Sequence, residues 1–441
     1  MALTPRRLRG PFQRALVLEE PDASLDGLLR SSGIEPVRID RTPEKAELLA
    51  LLREHRPHLL FKRSRLTLDE EILDAAEDLF AVMLCCIGDD SVDKQAAADR
   101  GILILNDPRS NGRSVAEMVM SHLIVGSRRL PGAWAETREH RWAKSASGRF
   151  EIKGKRLGIL GLGNIGKMVA RMAENFGMEV LFHDTDEVAV AVGETMEWES
   201  VDSPGELFAQ SDLVTVHVSA EDGRGRSNRG VLSLEQLMEL GKDRPEDSPR
   251  VLVNLARGFV FDPAHLKEAI AAGVVRQAFV DVYPDEPQVG ALGWDNPYAD
   301  EPAVFCTPHI GAATRDAQPR IAKKMARTAR LLSGKGTVED CVFAPRHRID
   351  VATSAESPHI LAVVHSDERG TKKAVDDVIF AAGINNLQSS HRDFPRYGIA
   401  YDLSVLERPL DAAEIDSLVV EAAKITGRDD AIRAVRQVSC S

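Results

Sequence analysis

The sequence predicts an α/β protein with a doubly wound parallel sheet, followed by a small C-terminal domain of ferredoxin-like plan. Short apolar runs alternate with amphipathic helical patterns from "RALVL" at 14–18 to "QAFVDVY" at 277–283, as is typical of parallel strands joined by right-handed crossovers. The charged, proline-bearing segment "PRHRIDVATSAESP" at 345–358 is interpreted as a linker. Beyond it the pattern predicts strand, helix, strand, strand, helix, strand, which is the ferredoxin-like order.

Length and composition narrow the class of protein. A chain of 441 residues predicts two or three domains. The formal net charge of −12 argues against a general nucleic-acid binder, because a polyanion attracts an excess of Lys and Arg. No apolar run reaches the roughly 20 residues of a membrane helix, and the arginine-rich first residues are interpreted as a short basic extension. The cysteines, odd in number and without metal-ligand spacing, favour reduced thiols in a cytosolic protein and no metal site: Cys85, Cys86, Cys306, Cys341 and Cys440.

The segment "RLGILGLGNIGKMVA" at 156–170 predicts a strand, a glycine-rich turn and a helix. The spacing G-x-G-x-x-G brings backbone N–H groups against a pyrophosphate, and the helix directs its positive N-terminus at the same charge. The next predicted strand ends at Asp184, where a carboxylate accepts hydrogen bonds from the adenosine ribose and repels a 2′-phosphate. The sequence therefore predicts a Rossmann-type domain that binds NAD rather than NADP, through Gly161, Gly163, Asn164, Ile165, Gly166 and Asp184.

Polar side chains follow three later strands of the same predicted sheet, at Arg257, at Asp281 and Glu286, and at His309. Ligands of doubly wound sheets bind at the carboxyl ends of the strands, so these side chains should face the nucleotide. Hydride transfer from an alcohol carbon to NAD needs a base for the hydroxyl proton, which suits an imidazole. It also needs a cation for an anionic substrate, which suits a guanidinium, and a Glu bonded to the imidazole would orient the ring.

Each of these side chains also has a plainer interpretation. Arg257 could form a surface ion pair, and Asp285 could take the place of its neighbour Glu286. His309, considered alone, could be a core histidine whose hydrogen bonds are satisfied.

The motifs "GLGNIG", "NLARG", "DVYPDEP" and "TPHIG", in that order, resemble the D-isomer-specific 2-hydroxyacid dehydrogenases. The resemblance implies that His309 is the acid/base and Glu286 its partner. Arg257 would then hold the substrate carboxylate and 2-oxygen, and Asp281 the nicotinamide carboxamide. It also implies a discontinuous α/β substrate domain, residues 12–111 and 310–344, into which the Rossmann-type NAD-binding domain, residues 112–309, is inserted.

Further motifs, "RSR" at 63–65 and "SNGRSVAE" at 110–117, resemble the branch of that family that acts on 3-phospho-D-glycerate. This implies a phosphate site at Arg63 and Arg65, with Arg113 as a further substrate contact, and a carboxylate site on the backbone around Gly88. The sequence departs from the branch at Asp89 and Asp90, where Thr-Asn is usual. Two alternatives stay open: a dehydrogenase for another D-2-hydroxy acid, such as glycerate or 2-hydroxyglutarate, and an NAD(H)-sensing regulatory protein.

The C-terminal unit at 359–441 resembles an ACT regulatory domain. The resemblance implies edge-to-edge pairing into a homodimer or homotetramer, and an amino-acid effector, serine, bound by His365, Asp367 and Asn385. Asp367 stands where Asn is usual, and Arg369 and Gly370 replace a Pro-Gly pair. A domain that serves only for dimerisation is the alternative.

Overall fold

The computed structural model describes residues 5–287, 291–352 and 359–439 and divides into two compact units. Unit 1 comprises the chain up to Pro108 together with the chain from Gln318 onward, and unit 2 comprises Arg109–Ala317. None of the helices in the described ranges combines the length and the apolar character that crossing a bilayer requires.

The first segment of unit 1 alternates strands with helices. The strands are β1 (Arg6–Arg9), β2 (Arg14–Leu18), β3 (Glu35–Ile39), β4 (Leu59–Lys62), β5 (Ala81–Leu84) and β6 (Leu103–Asn106). The helices are α1 (Ser24–Arg30), α2 (Lys45–His55), α3 (Glu70–Ala75) and α4 (Lys94–Asp99). Strands β2 to β6 pair in parallel, and β4 and β5 are buried along their whole length, which explains their continuous apolar runs.

Unit 2 is a parallel sheet between helices, as predicted. Its strands are β7 (Arg156–Leu160), β8 (Glu179–His183), β9 (Glu199–Ser200), β10 (Leu213–Val216), β11 (Val251–Asn254), β12 (Gln277–Val280) and β13 (Val304–Cys306). Its helices are α5 (Gly112–Ser127), α6 (Leu130–Arg138), α7 (Asn164–Asn175), α8 (Glu187–Thr195), α9 (Pro204–Ala209), α10 (Leu234–Met238) and α11 (Pro263–Ala271), with a 3₁₀ turn at Gly258–Val260.

The strand order in unit 2 is β13-β12-β11-β10-β7-β8-β9, and the chain reverses direction across the sheet between β7 and β10. Successive residues of each strand pack on opposite faces: Val251 and Val253 lie in one apolar cluster and Leu252 in the other. This doubly wound arrangement confirms the Rossmann-type prediction, and it brings the carboxyl ends of β7, β11, β12 and β13 to the same edge of the sheet. Residues 241–250, between α10 and β11, form a loop that contains neither helix nor strand.

The last segment of the chain completes unit 1. It contains α12 (Ala317–Lys335), β14 (Val338–Cys341), β15 (Ala344–Ile349), β16 (His359–Ser366), α13 (Thr371–Ala381), β17 (Asn386–Phe394), a 3₁₀ turn (Pro395–Tyr397), β18 (Ile399–Leu406), α14 (Ala412–Thr426) and β19 (Ile432–Ser439). One sheet has the order β15-β14-β6-β5-β4-β2-β3 and the other β1-β19-β16-β18-β17. The predicted strand-helix-strand-strand-helix-strand order is confirmed, with antiparallel pairing of β19-β16-β18-β17.

One prediction about a charged segment was wrong, and a second charged segment contains a strand that was not predicted. Residues 345–349, assigned to the linker, belong to β15, whose Arg348 lies 2.6 Å from Asp350 and 3.2 Å from Glu339. The arginine-rich extension forms β1, which pairs in parallel with β19. Both are edge strands, which need only backbone pairing on one side, so their side chains stay polar and show no apolar alternation. Residues 353–358 of the proposed linker lie outside the described residues.

Candidate active site

His309 and Glu286 form a hydrogen-bonded pair at the edge of the sheet in unit 2. Glu286 Oε2 lies 2.7 Å from His309 Nδ1, and Glu286 Oε1 accepts a bond of 3.2 Å from the backbone N–H of Tyr283. The imidazole is 48% exposed, so it is not a core histidine. The bond is made by Glu286, and the neighbouring Asp285 is exposed on its loop.

The contact between His309 and Glu286 shifts the pKa of both side chains. The hydrogen bond that His309 donates to Glu286 raises the pKa of the imidazole above its ordinary value, with partial burial and the positive charge of Arg257 acting in the opposite direction. Burial works against ionisation of Glu286, but its bond to His309 and the nearby charges lower the pKa of that carboxyl overall. Glu286 therefore stays an anion next to an imidazole that binds a proton readily, which is the electrostatic arrangement of a general acid/base.

The backbone of His309 adopts the left-handed region, with φ of 53°. Such a conformation costs free energy in a non-glycine residue and persists only when the surroundings hold it. The carboxylate of Asp281, 1% exposed, accepts bonds from Thr307 Oγ1 (2.6 Å), the Ile310 N–H (2.9 Å) and the Gly311 N–H (2.8 Å). Asp281, predicted as a nicotinamide contact, thus anchors the turn that carries the histidine.

Arg257 follows β11 and is positioned by two residues that were not predicted as site residues, Asn254 and Gly258. The Asn254 side chain accepts a bond of 3.0 Å from the Ala256 N–H and donates one of 3.0 Å to the Arg257 carbonyl. A Cβ atom at Gly258 would lie 1.9 Å from the carbonyl carbon of Tyr283, so only glycine lets these two loops touch. Asn254 and Gly258 both belong to the "NLARG" motif. The glycine directly after a candidate arginine is the feature of the sequence from which a role for Gly258 could have been predicted.

The glycine-rich turn fits a dinucleotide. Gly161 has φ of 93°, and a Cβ atom at Gly166 would lie 2.2 Å from the Gly161 carbonyl oxygen, so helix α7 packs tightly on the turn. A Cβ atom at Gly163, the residue before Asn164 at the start of α7, would meet nothing within 4 Å. That open space at a helix N-terminus is where a pyrophosphate approaches in this motif. Ile165 packs against the apolar core beneath the turn.

Asp184 lies at the end of β8, as predicted, and is joined to the glycine-rich turn. Its Oδ2 accepts a bond of 2.6 Å from the Leu162 N–H, and its Oδ1 accepts one of 2.9 Å from the Asp186 N–H. A carboxylate has about four acceptor sites, so it retains the capacity to accept ribose hydroxyl groups.

The predicted phosphate residues Arg63 and Arg65 lie in unit 1, after β4. Arg65 is exposed, Arg63 is half-buried, and their loop is held from below by two fully buried charged residues. Glu19 accepts bonds from the backbone N–H groups of Arg63 (2.7 Å) and Leu66. Lys62 Nζ donates to the Arg63 carbonyl at 2.9 Å. Glu19 could not be identified from the sequence, because nothing in a single sequence shows this long-range contact.

The other predicted substrate residues differ in their surroundings. Gly88 is half-buried in unit 1, and its carbonyl lies 3.2 Å from Cys86 Sγ. The unusual Asp89 lies 3.1 Å from Lys94 Nζ, so its charge is balanced within unit 1. Arg113, in unit 2, is exposed and pairs with Glu117 one turn along α5.

The predicted effector residues do not share one environment. Asp367 and Asn385 are exposed, whereas His365 is 1% exposed and lies within the sheet of its own domain. His365 therefore offers almost no surface to a bound amino acid in the described chain, unlike the other two residues.

Comparison with known proteins identifies relatives over most of the chain. The family described as "D-isomer specific 2-hydroxyacid dehydrogenase, NAD binding domain" matches residues 120–311. The D-3-phosphoglycerate dehydrogenase of Escherichia coli K12 is 34% identical over 328 residues, 74% of this chain and 76% of the relative. The enzyme of the same name from Haemophilus influenzae is 32% identical over 341 residues, 77% and 79% of the two chains. The crystal structure of TT0316 protein from Thermus thermophilus aligns with a TM-score of 0.60 and 27% identity, covering 72% of this chain and 95% of the other.

Proposed function

The chain belongs to the D-isomer-specific 2-hydroxyacid dehydrogenases, and we propose that it oxidises 3-phospho-D-glycerate to 3-phosphohydroxypyruvate with NAD, the first step of phosphorylated serine biosynthesis. The observation that carries the proposal is the bond of 2.7 Å between His309 and Glu286, at the same edge of the sheet as a glycine-rich turn that fits a dinucleotide. The names of the relatives from Escherichia coli and Haemophilus influenzae support the phosphorylated substrate.

In the proposed reaction His309 accepts the proton of the substrate's 2-hydroxyl group at Nε2, because Nδ1 is occupied by Glu286. Glu286 stabilises the imidazolium that forms and fixes the orientation of the ring. Arg257 binds the substrate carboxylate and the 2-oxygen, which becomes a carbonyl oxygen. NAD, if bound at the glycine-rich turn, would supply the hydride acceptor for C2, so that one hydride would leave the alcohol carbon and one proton its oxygen. In the reverse direction, protonated His309 returns the proton to the oxygen.

Replacing Glu286 with Gln should move the pH dependence of both directions to lower pH. Oxidation needs neutral His309, so its rate is lost as pH falls through the raised pKa of that imidazole; reduction needs the protonated ring, so its rate is lost as pH rises through the same pKa. Glu286→Gln removes the cause of the raised pKa, and both limbs should shift toward acid. Profiles of kcat/KM against pH in both directions measure this, with Asp285→Asn as the matched control. Limbs that stay in place in Glu286→Gln would refute the pairing.

Replacing Asp184 with Ala should weaken NAD binding and reduce the preference for NAD over NADP. The substitution removes the acceptor for ribose hydroxyl groups and the bond to the Leu162 N–H, and it removes the charge that repels a 2′-phosphate. We expect KM for NAD to rise about tenfold, the equivalent of one charged hydrogen bond. Asp186→Ala, which removes a nearby acid that caps α8, is the control. An unchanged ratio of kcat/KM for the two cofactors would contradict the role of Asp184.

We propose that Arg63 and Arg65 bind the 3-phosphate and that the backbone around Gly88 binds the carboxylate, with Arg113 as a further substrate contact. Support comes from the loop of the two arginines, which buried Glu19 and Lys62 hold in place, so that little ordering entropy is lost when an anion binds. The pairing of Asp89 with Lys94 reduces the repulsion that this acid would exert on an anionic substrate.

Specificity constants for 3-phosphohydroxypyruvate and unphosphorylated hydroxypyruvate test the substrate. We expect the native protein to prefer the phosphorylated keto acid and Arg65→Ala to reduce that preference about tenfold or more, since a charge-assisted bond is lost. Arg41→Ala, which removes an exposed arginine paired with Glu47, is the control. Equal constants for the two keto acids in the native protein would point instead to a dehydrogenase for another D-2-hydroxy acid.

We propose that the C-terminal domain is an ACT-like domain that pairs two chains into a homodimer, or a homotetramer built from it, and binds serine. Strand β17 supports the pairing, because it is a long, exposed edge, whereas the opposite edge is covered by β1. The exposed Asp367 and Asn385 support a surface effector site. Serine inhibition of the initial rate that is lost in Asn385→Ala would agree with this proposal, and a rate that serine does not change would contradict it.

A further inference from the structure

Three potential metal ligands meet in the C-terminal domain, outside the residues assigned to catalysis. His365 of β16, His391 of β17 and Asp402 of β18 each offer one ligand atom, and these atoms lie within 4.8 Å of one another. His391 and Val363 are the direct cross-strand neighbours of Asp402, and His365 lies two residues after Val363 on the same strand. The three ligands His365, His391 and Asp402 therefore share one face of the sheet. Val363 packs with residues of α13 and α14, which shows that this face is the one covered by the two helices.

The hydrogen bonding of His365 leaves one ring nitrogen available as a metal ligand. Its Nδ1 lies 2.6 Å from the Ser366 carbonyl oxygen, which can only accept, so Nδ1 carries the proton. Nε2 then holds the lone pair in the neutral ring, and among the described residues this buried atom has no hydrogen-bond partner. Metal-binding histidines usually donate their second N–H to a carbonyl or a carboxylate in the same way.

His391 shows the same pattern from the exposed side of the domain. Its Nε2 lies 2.9 Å from Asp393 Oδ1, so Nε2–H donates to that carboxylate and Nδ1 remains available. The rings of His365 and His391 stack with centroids 5.5 Å apart and planes at 18°. Because His391 lies on the exposed edge strand, an ion has a path from solvent to the cluster.

Asp402 supplies the negative charge. It is 1% exposed, and its Oδ2 lies 3.0 Å from Lys372 Nζ, while Oδ1 has no hydrogen-bond partner among the described residues. A buried carboxylate with an unused oxygen is costly unless a cation or a donor reaches it. Lys372 partly balances the charge of Asp402 and also pairs with Asp376. Its ammonium group can therefore keep the contact with Asp376 when a metal ion binds Asp402.

We propose that His365, His391 and Asp402 bind one divalent transition-metal ion, Zn²⁺ first among them, with water in the fourth position. Two imidazoles and one carboxylate suit borderline-soft cations of this kind and do not suit Ca²⁺ or Mg²⁺, which prefer oxygen ligands. Ligand atoms of a tetrahedral zinc site lie about 3.3 Å apart, given Zn–N bonds of about 2.0–2.1 Å. The ligand atoms in the cluster lie within 4.8 Å of one another, so binding in this geometry requires the exposed His391 ring to approach the two buried ligands. No metal site was predicted from the sequence, because the cysteines lack metal-ligand spacing, whereas the three ligands proposed here come from three separate strands.

The test is a titration of the full-length chain, stripped of metal, with Zn²⁺ in the presence of a competing chromophoric chelator. We expect one ion per chain at a site that His391→Ala weakens at least tenfold. His359→Ala, at the far end of β16, is the matched control and should bind like the native chain. Because His391 is exposed, its removal spares the core, and Asp402→Asn gives a second variant of nearly the same shape.

Cobalt provides an independent readout. We expect Co²⁺ to give visible d–d absorption typical of four-coordinate nitrogen and oxygen ligation in the native chain and in His359→Ala, and to lose it in His391→Ala and Asp402→Asn. Zinc affinity that is the same in the native chain and in both ligand variants would overturn the proposal, and so would the lack of a one-to-one site in the native chain.

Discussion

Replacing His309 with Ala should lower kcat in both directions by about 10²- to 10⁴-fold, the usual contribution of a positioned general acid/base. The variant lacks the only group proposed to accept the hydroxyl proton, and Glu286 loses its partner at 2.7 Å. NADH affinity should stay unchanged, because the glycine-rich turn and Asp184 are held by their own contacts. Steady-state rates together with fluorescence titration of NADH separate the two effects.

The matched control for this variant is His140→Ala. His140 is also an exposed histidine of unit 2 in the left-handed region, with φ of 61°, so the substitution affects a similar backbone conformation. We expect it to leave both the rate and the NADH affinity as they are. Comparable turnover in His309→Ala and the native protein would remove His309 from the reaction.

Replacing Arg257 with Lys should lower kcat/KM for the hydroxy acid about a hundredfold. A lysine keeps the positive charge but loses the planar pair of donors that matches a carboxylate, and a bond to a charged group contributes about 1.5–3 kcal/mol. Asn254 and Gly258 hold the backbone on either side, so the change should stay local. The positive charge next to His309 is retained in Arg257→Lys. The pH at which each rate falls should therefore not change, unlike in Glu286→Gln.

Kinetics of Arg257→Lys with the hydroxy acid, together with a titration of NADH binding, measure this loss, and Arg224→Lys is the control at an exposed arginine of the same unit. An increase in KM for the hydroxy acid with unchanged NADH affinity agrees with the substrate role. A loss confined to NADH binding would assign Arg257 to the cofactor instead.

Elements whose signal is local could be predicted from the sequence. Buried strands such as β5 and β11 show as apolar runs, and the C-terminal domain shows as a fixed order of strands and helices. His309, Glu286 and Arg257 were found because each follows a strand of one sheet, where the chemistry of doubly wound folds takes place.

Features that depend on distant contacts could not be predicted. β1 is a strand only because the edge of β19 is available for pairing, and the sequence "RRLR" has no strand pattern of its own. Glu19 cannot be told from an ordinary surface acid until the fold buries it beneath the loop that carries Arg63. Asp281 was predicted to lie at the site, but its three bonds to the turn around His309 required the turn itself to be seen.

The most direct test of the proposed function is the initial rate of NADH formation, followed by its absorbance, with 3-phospho-D-glycerate and with its L-isomer. The native protein should form NADH from the D-isomer, and the L-isomer should give no more than the background rate. NADH formed from neither isomer, or equally from both, would contradict the central claim that this chain is a D-isomer-specific dehydrogenase for the phosphorylated hydroxy acid.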